Sequence, residues 1–413
     1  MSAPRAALDR DLARLYAAAF LRAVAAGFVG IFLGFELARR GLDAERAGLV
    51  VTAGLAGQTL ASFVVTLAGD RIGRRRALVA LALLAVAGGV AAARVDSGAA
   101  LAAVAFLGLL NGMGRDRGPS LVLEQAALPA LVPAERRTLA LAVYNVIGDV
   151  GHALGSLLVA LLPLGLAALP AAGARGASGF LLYAALLAPG LALAATLSRR
   201  VEAPTGGGAR ALSPASRARL AKICALFGID SFAGGFLTSA LLAWFFFERF
   251  GAGAGTVGAL FAAARVANAL SHLAAAWLAR RIGLVRTMVF THLPSSLLLA
   301  TVPFAPSFGI AAALFLLREG LVEMDVPTRQ SYVLALVRPD ERTFASGATH
   351  LVRTLGWAAG PACAGWATAR LGLAAPLLIA AALKIAYDLA LWRGFRAVHP
   401  PEENPDATAA ASR

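Results

Sequence analysis

Charged and polar side chains interrupt several long apolar runs of this 413-residue sequence. A charge in hydrocarbon costs at least about 2.5–3.5 kcal/mol, so such side chains usually face a cavity or pair with each other. The chemistry open to them is ion pairing, proton exchange and the binding of a polar solute. The residues concerned are Arg22, Asn145, Asp149, His152, Asp230, Arg265, Asn268, Arg318, Glu319, His350 and Arg353.

Two of the runs carry their polar residues on a single helix face, since residues spaced by three, four or seven lie above one another in a helix. We interpret such stripes as the lining of a polar cavity, although a histidine there is more often a hydrogen-bonded packing residue. Asp149 lies twelve residues beyond Arg137, roughly 18 Å along a helix and therefore near the middle of a bilayer. The stripes are Asn145, Asp149 and His152 in one run and Arg265, Asn268 and His272 in the other.

The arginines at 265 and 353 are the candidates for binding a solute. A guanidinium group in a cavity can hold a carboxylate or phosphate through two parallel hydrogen bonds. This favours an organic anion or zwitterion as ligand. Arg318 directly precedes Glu319, so that pair either lines the cavity or only neutralises itself and joins two helices.

Enzymatic chemistry finds no support in the sequence. It contains no His-Glu-x-x-His, no Gly-x-Ser-x-Gly and no Gly-rich phosphate loop ending in Lys-Ser or Lys-Thr. The two cysteines, Cys224 and Cys363, both lie in apolar runs and are interpreted as packing residues. We therefore expect neither an enzyme nor a protein with a cofactor or metal.

The elements that position these residues are membrane-spanning helices. The chain is 59% hydrophobic and 15% charged, and its mean hydropathy is +0.73, which is incompatible with a water-facing surface. A helix needs about 20 apolar residues to cross a bilayer. The sequence predicts an all-α membrane protein with twelve such helices, at residues 15–38, 46–69, 77–94, 99–123, 138–163, 178–198, 219–247, 254–279, 286–304, 308–331, 344–369 and 373–393.

The formal net charge of +15 reflects membrane topology and not nucleic-acid binding. The arginines stand at the ends of spans instead of forming one patch with aromatic residues. Basic residues favour cytoplasmic loops. We therefore place the N-terminus in the cytoplasm, and the even number of spans returns the C-terminus to the same side. The basic groups that this topology puts in the cytoplasm are Arg5, Arg10 and Arg14; Arg71, Arg74, Arg75 and Arg76; Arg136 and Arg137; Arg199 and Arg200; and Arg280 and Arg281.

The sequence contains an internal duplication, in which the second half repeats the pattern of the first. Residues 130–138 and 335–343 are closely similar, and at the same offset of 205 residues Gly151 and Gly155 correspond to Gly356 and Gly360. Their small-xxx-small spacing is typical of close helix packing in membranes. We predict a six-helix bundle over 1–198, a cytoplasmic linker over 199–218, a second six-helix bundle over 219–396 and a disordered tail over 397–413.

The duplication also relates two of the charged residues. Arg22 and Asp230 each lie eight residues past a basic residue, Arg14 and Lys222, and so reach a similar depth of roughly 12 Å. We hypothesise that they form an ion pair that protonation or solute binding breaks. The alternative is a permanent pair that holds two helices together.

Residues 69–76, between the second and third predicted spans, read Gly-Asp-Arg-Ile-Gly-Arg-Arg-Arg. They resemble the loop signature of the major facilitator superfamily, which ends in Asp-Arg-x-Gly-Arg-Arg. The sequence departs from it at Thr66, where the family has Gly. The resemblance implies two six-helix bundles and a cytoplasmic gate formed by Asp70, Arg71, Gly73 and Arg74.

Three further motifs carry the resemblance less far. Gly360-Pro361 is similar to a bend motif of proton antiporters in this family. In those antiporters the motif lies in the fifth helix, and at the position of its Pro this chain has Ser156. We therefore interpret Gly360-Pro361 as part of a helix-packing surface. Residues 115–125 and 324–330 resemble a pattern of an uncharacterised bacterial subset of the family.

The resemblance and the intramembrane acids together predict a proton-coupled secondary transporter of a small organic solute, working by alternating access about a central cavity. The expected partners are that solute, protons and the lipid bilayer, and the expected form is a monomer in a bacterial inner membrane. A passive uniporter, or a sensor or scaffold without flux, stays open as an alternative.

Overall fold

The computed structural model describes residues 3–133, 137–166, 172–202, 213–324 and 342–395, together with 329, 332, 333 and 337. All the regular elements among these residues are helical. The α-helices are α1 (Ala3–Arg39), α2 (Ala44–Ile72), α3 (Arg74–Ala92), α4 (Gly98–Leu107), α5 (Pro119–Leu131), α6 (Arg137–Leu166), α7 (Ala172–Ala195), α8 (Pro214–Gly235), α9 (Ser239–Phe250), α10 (Ala254–Ile282), α11 (Leu284–Thr301), α12 (Phe308–Val322), α13 (Arg342–Leu371) and α14 (Ala375–Phe395).

Local side chains fix where several of these helices begin. The carboxylate of Asp43 accepts a hydrogen bond from the Arg46 amide at the start of α2, and the Ser97 hydroxyl accepts one from the Ala100 amide at the start of α4. The Thr238 hydroxyl does the same for α9. Such caps satisfy amide groups that have no partner inside the helix.

Eight segments of the described chain are long and apolar enough to cross a bilayer. Two predicted helices are broken, however. The span predicted over 99–123 is α4 and α5 with residues 108–118 between them, and the span predicted over 219–247 is α8 and α9. The first break follows from Leu109 and Gly114, whose φ angles are +55° and +72°, which no helix contains.

The chain forms two compact units, and the first comprises residues 1–206, 235–265 and 358–373. Helix α1 is its central element and packs on α6, α7 and α9. A side chain at Gly155 would overlap the backbone of Val24 and Phe28 on α1, and Gly151 lies against Ala23. The predicted packing role of this Gly pair is therefore confirmed.

Segments from the second half of the sequence also belong to this unit. They pack against the last turns of α1 and the first turns of α2. Gly34 on α1 lies against the carbonyl of Ala240, and Gly365 on α13 lies against the carbonyl of Ala44. The hydroxyl of Thr52 accepts a hydrogen bond of 2.9 Å from the amide of Ala362.

The second unit comprises residues 207–234, 266–357 and 374–413. Helix α11 packs on α12 and α14, and the core contains Ile223, Phe227, Tyr332 and Tyr387. Gly356 lies against the backbone of α8, as Gly151 and Gly155 lie against α1. The repeat thus keeps one helix-packing contact in both halves.

These units do not follow the predicted halves, since 235–265 and 358–373 belong to the first unit. The division of the sequence at 199–218 stays a prediction. Residues 203–212 of that linker, the tail over 397–413 and the side chains of His272 and Arg280 lie outside the described part of the structure.

We expect Gly34→Ala to lower the thermal unfolding midpoint in detergent, because a methyl group there meets the Ala240 backbone. Overpacking of this kind costs about 1–3 kcal/mol. The matched control is Gly309→Ala on α12, which has nothing within 4 Å of an added Cβ. Equal midpoints for the two variants would contradict the close packing of α1 on α9.

Candidate functional site

A buried ion network, which we call the Arg22 network, lies inside the first unit. Arg22 donates from Nε to Asp116 at 2.5 Å and from both terminal nitrogens to Glu124 at 2.8 and 2.6 Å. The hydroxyl of Tyr144 donates to Glu124 at 2.6 Å. Glu124 is 1% exposed. A bidentate guanidinium–carboxylate pair of this kind is among the strongest hydrogen-bonded pairs.

Four different elements supply this network. Arg22 lies on α1, Glu124 on α5 and Tyr144 on α6, whereas Asp116 lies in the segment that separates α4 from α5. The amide of Asp116 donates to Nε2 of His152 at 2.8 Å. The break between α4 and α5 therefore brings a carboxylate to Arg22, and His152 fixes the backbone of that break.

A cavity of about 70 Å³ adjoins the Arg22 network within the first unit. Its charged lining residues are Arg22, Asp116 and Glu124, and much of its remaining wall is apolar. The other lining residues are Ala18, Ala26, Gln58, Leu78, Leu81, Ala82, Ala85, Leu109, Asn111, Gly118, Pro119, Ser120, Tyr183, Leu187, Gly190 and Ala194.

A second network, the Asp230 network, lies inside the second unit. Asp230 on α8 accepts from Nζ of Lys384 at 2.7 Å and from Arg329 at 3.2 Å. Nζ of Lys384 lies 3.4 Å from Nε2 of His292, and Nδ1 of His292 lies 2.9 Å from Asp388. The side chains of all five residues are at most 7% exposed.

Arg353 lies at the edge of this network. Its guanidinium group lies 4.0 Å from Asp230, 4.8 Å from the centre of the Trp357 ring and 5.9 Å from that of Phe227. Cation–π contacts of this kind orient a guanidinium group without neutralising it.

The two networks contain one repeated ion pair of opposite polarity. Arg22 and Asp230 are equivalent in the duplication, and Glu124 corresponds to Arg329 at the offset of 205. In the first unit the cation is on the first helix of the repeat, and in the second unit the anion is. Both units therefore contain a salt bridge at equivalent positions, but the cation and the anion have exchanged places.

The structure gives Arg22 and Asp230 partners within their own units, Arg22 two carboxylates and Asp230 two cations. The state-dependent pairing that the sequence suggested between them stays a prediction. Their equivalence in the repeat gave no information about which side chains surround them.

A smaller polar group in the second unit contains three predicted residues. Asn268 on α10 donates to the carboxylate of Glu319 at 2.9 Å and to its backbone carbonyl at 2.8 Å. Arg318 pairs with Glu319, and both are buried on α12. This arrangement joins α10 to α12, so the three residues act at least as a structural clamp.

The remaining predicted cavity residues lie on α6, α10 and α13. Asn145 is exposed and Asp149 half-buried on α6, and neither hydrogen-bonds to the Arg22 network among the described residues. Arg265 is buried on α10, in the first unit, and His350 is half-buried on α13. Their role in solute binding stays a prediction.

The predicted gate residues lie where α2 ends and α3 begins. Gly73 has a φ of +96°, which favours glycine. Arg74 is buried and donates to Asp70 at 2.8 Å and to the carbonyl of Ala126 on α5 at 2.9 Å. Glu202 accepts from the Arg74 amide at 2.6 Å. Asp70 and Arg71 are exposed.

Most of the partners in these networks were not predicted as site residues from the sequence. The residues missed are Asp116, Glu124, Tyr144, His292, Arg329, Lys384 and Asp388. A usable signal was present for Lys384 and Asp388, which stand four residues apart inside an apolar run. Asp116 and Arg329 lie in the two motif segments but carry no spacing signal, since their partners are far away in sequence.

The chain belongs to the Major Facilitator Superfamily, whose model matches residues 15–229 and 223–412. Two halves, each with helices that pack around a buried ion network, agree with this assignment. The protein is accordingly a multi-pass membrane protein of a transporter family and not an enzyme.

The similar proteins establish the fold of this chain but do not identify its substrate. An uncharacterized membrane protein of Saccharomyces cerevisiae, YJR124C, is 26% identical over 93% of each chain. The nucleoside transporter NupG superposes with a TM-score of 0.74 at 14% identity, over 94% of this chain and 99% of that one. A D-xylose-proton symporter gives 0.70 at 14% identity, over 92% and 97%.

We expect Glu124→Gln to destabilise the protein by up to about 3 kcal/mol, because it leaves Arg22 with one carboxylate in a buried site. The measurement is thermal or denaturant unfolding in detergent. Glu45→Gln, at the exposed start of α2, is the control and should unfold like the wild type. A neutral effect of Glu124→Gln would show that Asp116 alone satisfies Arg22.

Proposed function

We propose that this protein is a secondary transporter that moves a small organic solute by alternating access and couples that movement to protons. The observation that carries the proposal is the Asp230 network. It places two carboxylates, an imidazole and an ammonium group in hydrogen-bonding contact inside the second unit, away from the lipid and from bulk water. Buried titratable groups of this kind are expected at proton pathways.

The contacts of the network form a chain through which one proton can change several pairings. Asp388 contacts His292, His292 contacts Lys384 and Lys384 contacts Asp230. A proton on Asp230 would remove the negative charge that holds Lys384 and Arg329 together. Because Lys384 and Arg329 would no longer share this carboxylate, their mutual repulsion in a buried site would increase, and the helices that carry them would rearrange.

The Asp230 network also supports an anionic or zwitterionic solute. Arg353 lies at its edge, with its guanidinium group near the rings of Trp357 and Phe227. A carboxylate that enters beside Arg353 would replace the negative charge that Asp230 loses when it is protonated. Solute binding and protonation would then be coupled, as in a symporter. The D-xylose-proton symporter shows that this fold supports such coupling.

The gate is assigned to Asp70, Arg71, Gly73 and Arg74, on the predicted cytoplasmic side. Arg74 joins α2, α3 and α5 through its contacts with Asp70 and Ala126, so the gate sequence moves as one body with the first unit. The side chain of Asp70 is 63% exposed and can accept further hydrogen bonds in another conformation.

In proteoliposomes with an imposed pH gradient, we expect Asp230→Asn to abolish uphill solute accumulation, because the amide cannot exchange a proton at neutral pH. Solute exchange without a gradient should persist. Asp96→Asn, at an exposed site between α3 and α4, should behave like the wild type. A panel of labelled organic anions, amino acids and nucleosides serves to find the solute.

The same assay separates the alternative functions. If solute flux through the wild-type protein did not depend on the pH gradient, the protein would be a passive uniporter. Solute binding to the purified protein without any flux would establish a sensor or scaffold. Undiminished uphill accumulation by Asp230→Asn would remove the Asp230 network from the coupling mechanism.

We expect Asp70→Asn to lower the turnover rate of solute exchange while the concentration for half-maximal exchange stays unchanged, because Asp70 is exposed at the end of α2 and neither belongs to the Arg22 network nor lines its cavity. Exchange rates over a range of solute concentrations measure this. Asp43→Asn, which keeps an acceptor for the α2 cap, is the control. A change in the half-maximal concentration would place Asp70 at the solute.

The proposed setting is the cytoplasmic membrane of a bacterium, with both termini in the cytoplasm and the protein as a monomer. The support is the distribution of basic residues between the predicted loops and the sequence bias toward Ala, Leu, Arg and Gly.

A further inference from the structure

One end of the second unit, where α10 joins α11, carries exposed positive charge. Gly283, with a φ of +87°, turns the chain from α10 into α11. The last turns of α14 lie beside them, since the rings of Phe290 and Trp392 are 5.4 Å apart. Among the described residues of this unit, every Asp and Glu is buried or half-buried. The exposed charged residues at this end are Arg217, Arg219, Lys222, Arg281, Arg286 and Arg393, all of them cations.

Two of these cations are available to a ligand. Within the described part of the chain, the side chains of Arg286 and Arg393 make no ion pair and no hydrogen bond. Lys222 at the start of α8 adds a third charge nearby, because its Nζ lies 5.1 Å from the centre of the Phe395 ring on α14. Three helices thus bring cations to one place, and no carboxylate among the described residues neutralises Arg286 or Arg393.

An exposed apolar strip leads away from Arg286 along α11. Phe290 is 53% exposed and Leu297 is 55% exposed. They lie four and eleven residues beyond Arg286, so the three side chains share one helix face over roughly 17 Å. Trp392 widens the strip beside Phe290. In a membrane protein such a face lies against acyl chains, and aromatic rings at its end mark the level of the lipid headgroups.

We propose that this end of the second unit binds an anionic phospholipid. Arg286 and Arg393 hold its phosphate, and one acyl chain lies along the exposed face of α11. A guanidinium group binds phosphate oxygens through parallel hydrogen bonds, and basic side chains between helices at the membrane surface bind anionic headgroups. The lipid supplies both the negative charge and the apolar chain that this surface lacks. Its binding requires neither a solute nor a proton gradient.

The test is native mass spectrometry of the full-length protein in detergent, titrated with dioleoylphosphatidylglycerol or dioleoylphosphatidylcholine. These probes share their acyl chains and differ in headgroup charge. We expect the anionic lipid to bind the wild type about tenfold more tightly than the zwitterionic one. Arg286→Gln combined with Arg393→Gln should weaken binding of phosphatidylglycerol by about tenfold or more and leave binding of phosphatidylcholine unchanged.

The matched control is Arg249→Gln combined with Arg370→Gln, which removes two exposed arginines from the first unit and changes the net charge equally. It should bind phosphatidylglycerol like the wild type. The thermal unfolding midpoint shows that each variant is folded. Soluble sn-glycerol 3-phosphate, which carries the phosphate without acyl chains, should not displace the lipid at a comparable concentration.

Equal affinity for the two lipids, or equal losses in the two double variants, would overturn the lipid site, because either result would mean unspecific attraction to detergent-bound lipid. Displacement by glycerol 3-phosphate would also overturn it, in favour of a site for soluble phosphates. None of these results depends on solute flux in proteoliposomes. The lipid site and the proposed transport mechanism therefore stand or fall separately.

Discussion

The energetic cost of charge in hydrocarbon is the constraint on which the structure depends. Arg22 and Asp230 can occupy membrane-spanning helices only because each is surrounded by side chains of opposite charge from other helices. These partners come from α5 and the segment before it in one case, and from Arg329 and α14 in the other. Assembly of each bundle is thereby tied to the formation of its ion network.

The duplication shows what this constraint preserves and what it leaves free. The ion pair between the first helix of each repeat and Glu124 or its counterpart Arg329 is present twice, with exchanged charges. The residues around the pair differ between the two copies. Two carboxylates and Tyr144 surround Arg22, and a cavity adjoins them, whereas Asp230 contacts Lys384 and Arg329, with His292 beside Lys384 and Asp388 beside His292. The two copies therefore hold buried charges of opposite sign at equivalent positions.

Close packing of glycine determines where the helices meet. Gly155 and Gly356 bring the fifth helix of each repeat onto the first, and Gly34 and Gly365 join the two sequence halves in the first unit. Such contacts add little energy individually. They involve no charged side chain, however. The segment around Arg74 is instead held to α2 and α5 by hydrogen bonds.

The sequence by itself determined the membrane class and the family, because hydropathy and short motifs are local properties. It also identified Arg22 and Asp230 as central residues. It did not determine their partners, since Arg22 and Glu124 are 102 residues apart and Asp230 and Lys384 are 154 apart. The break between α4 and α5, which delivers Asp116, was hidden within an apolar run. Only tertiary structure decided these points, because an ion pair between helices depends on helix rotation and depth, which the spacing along one helix does not specify.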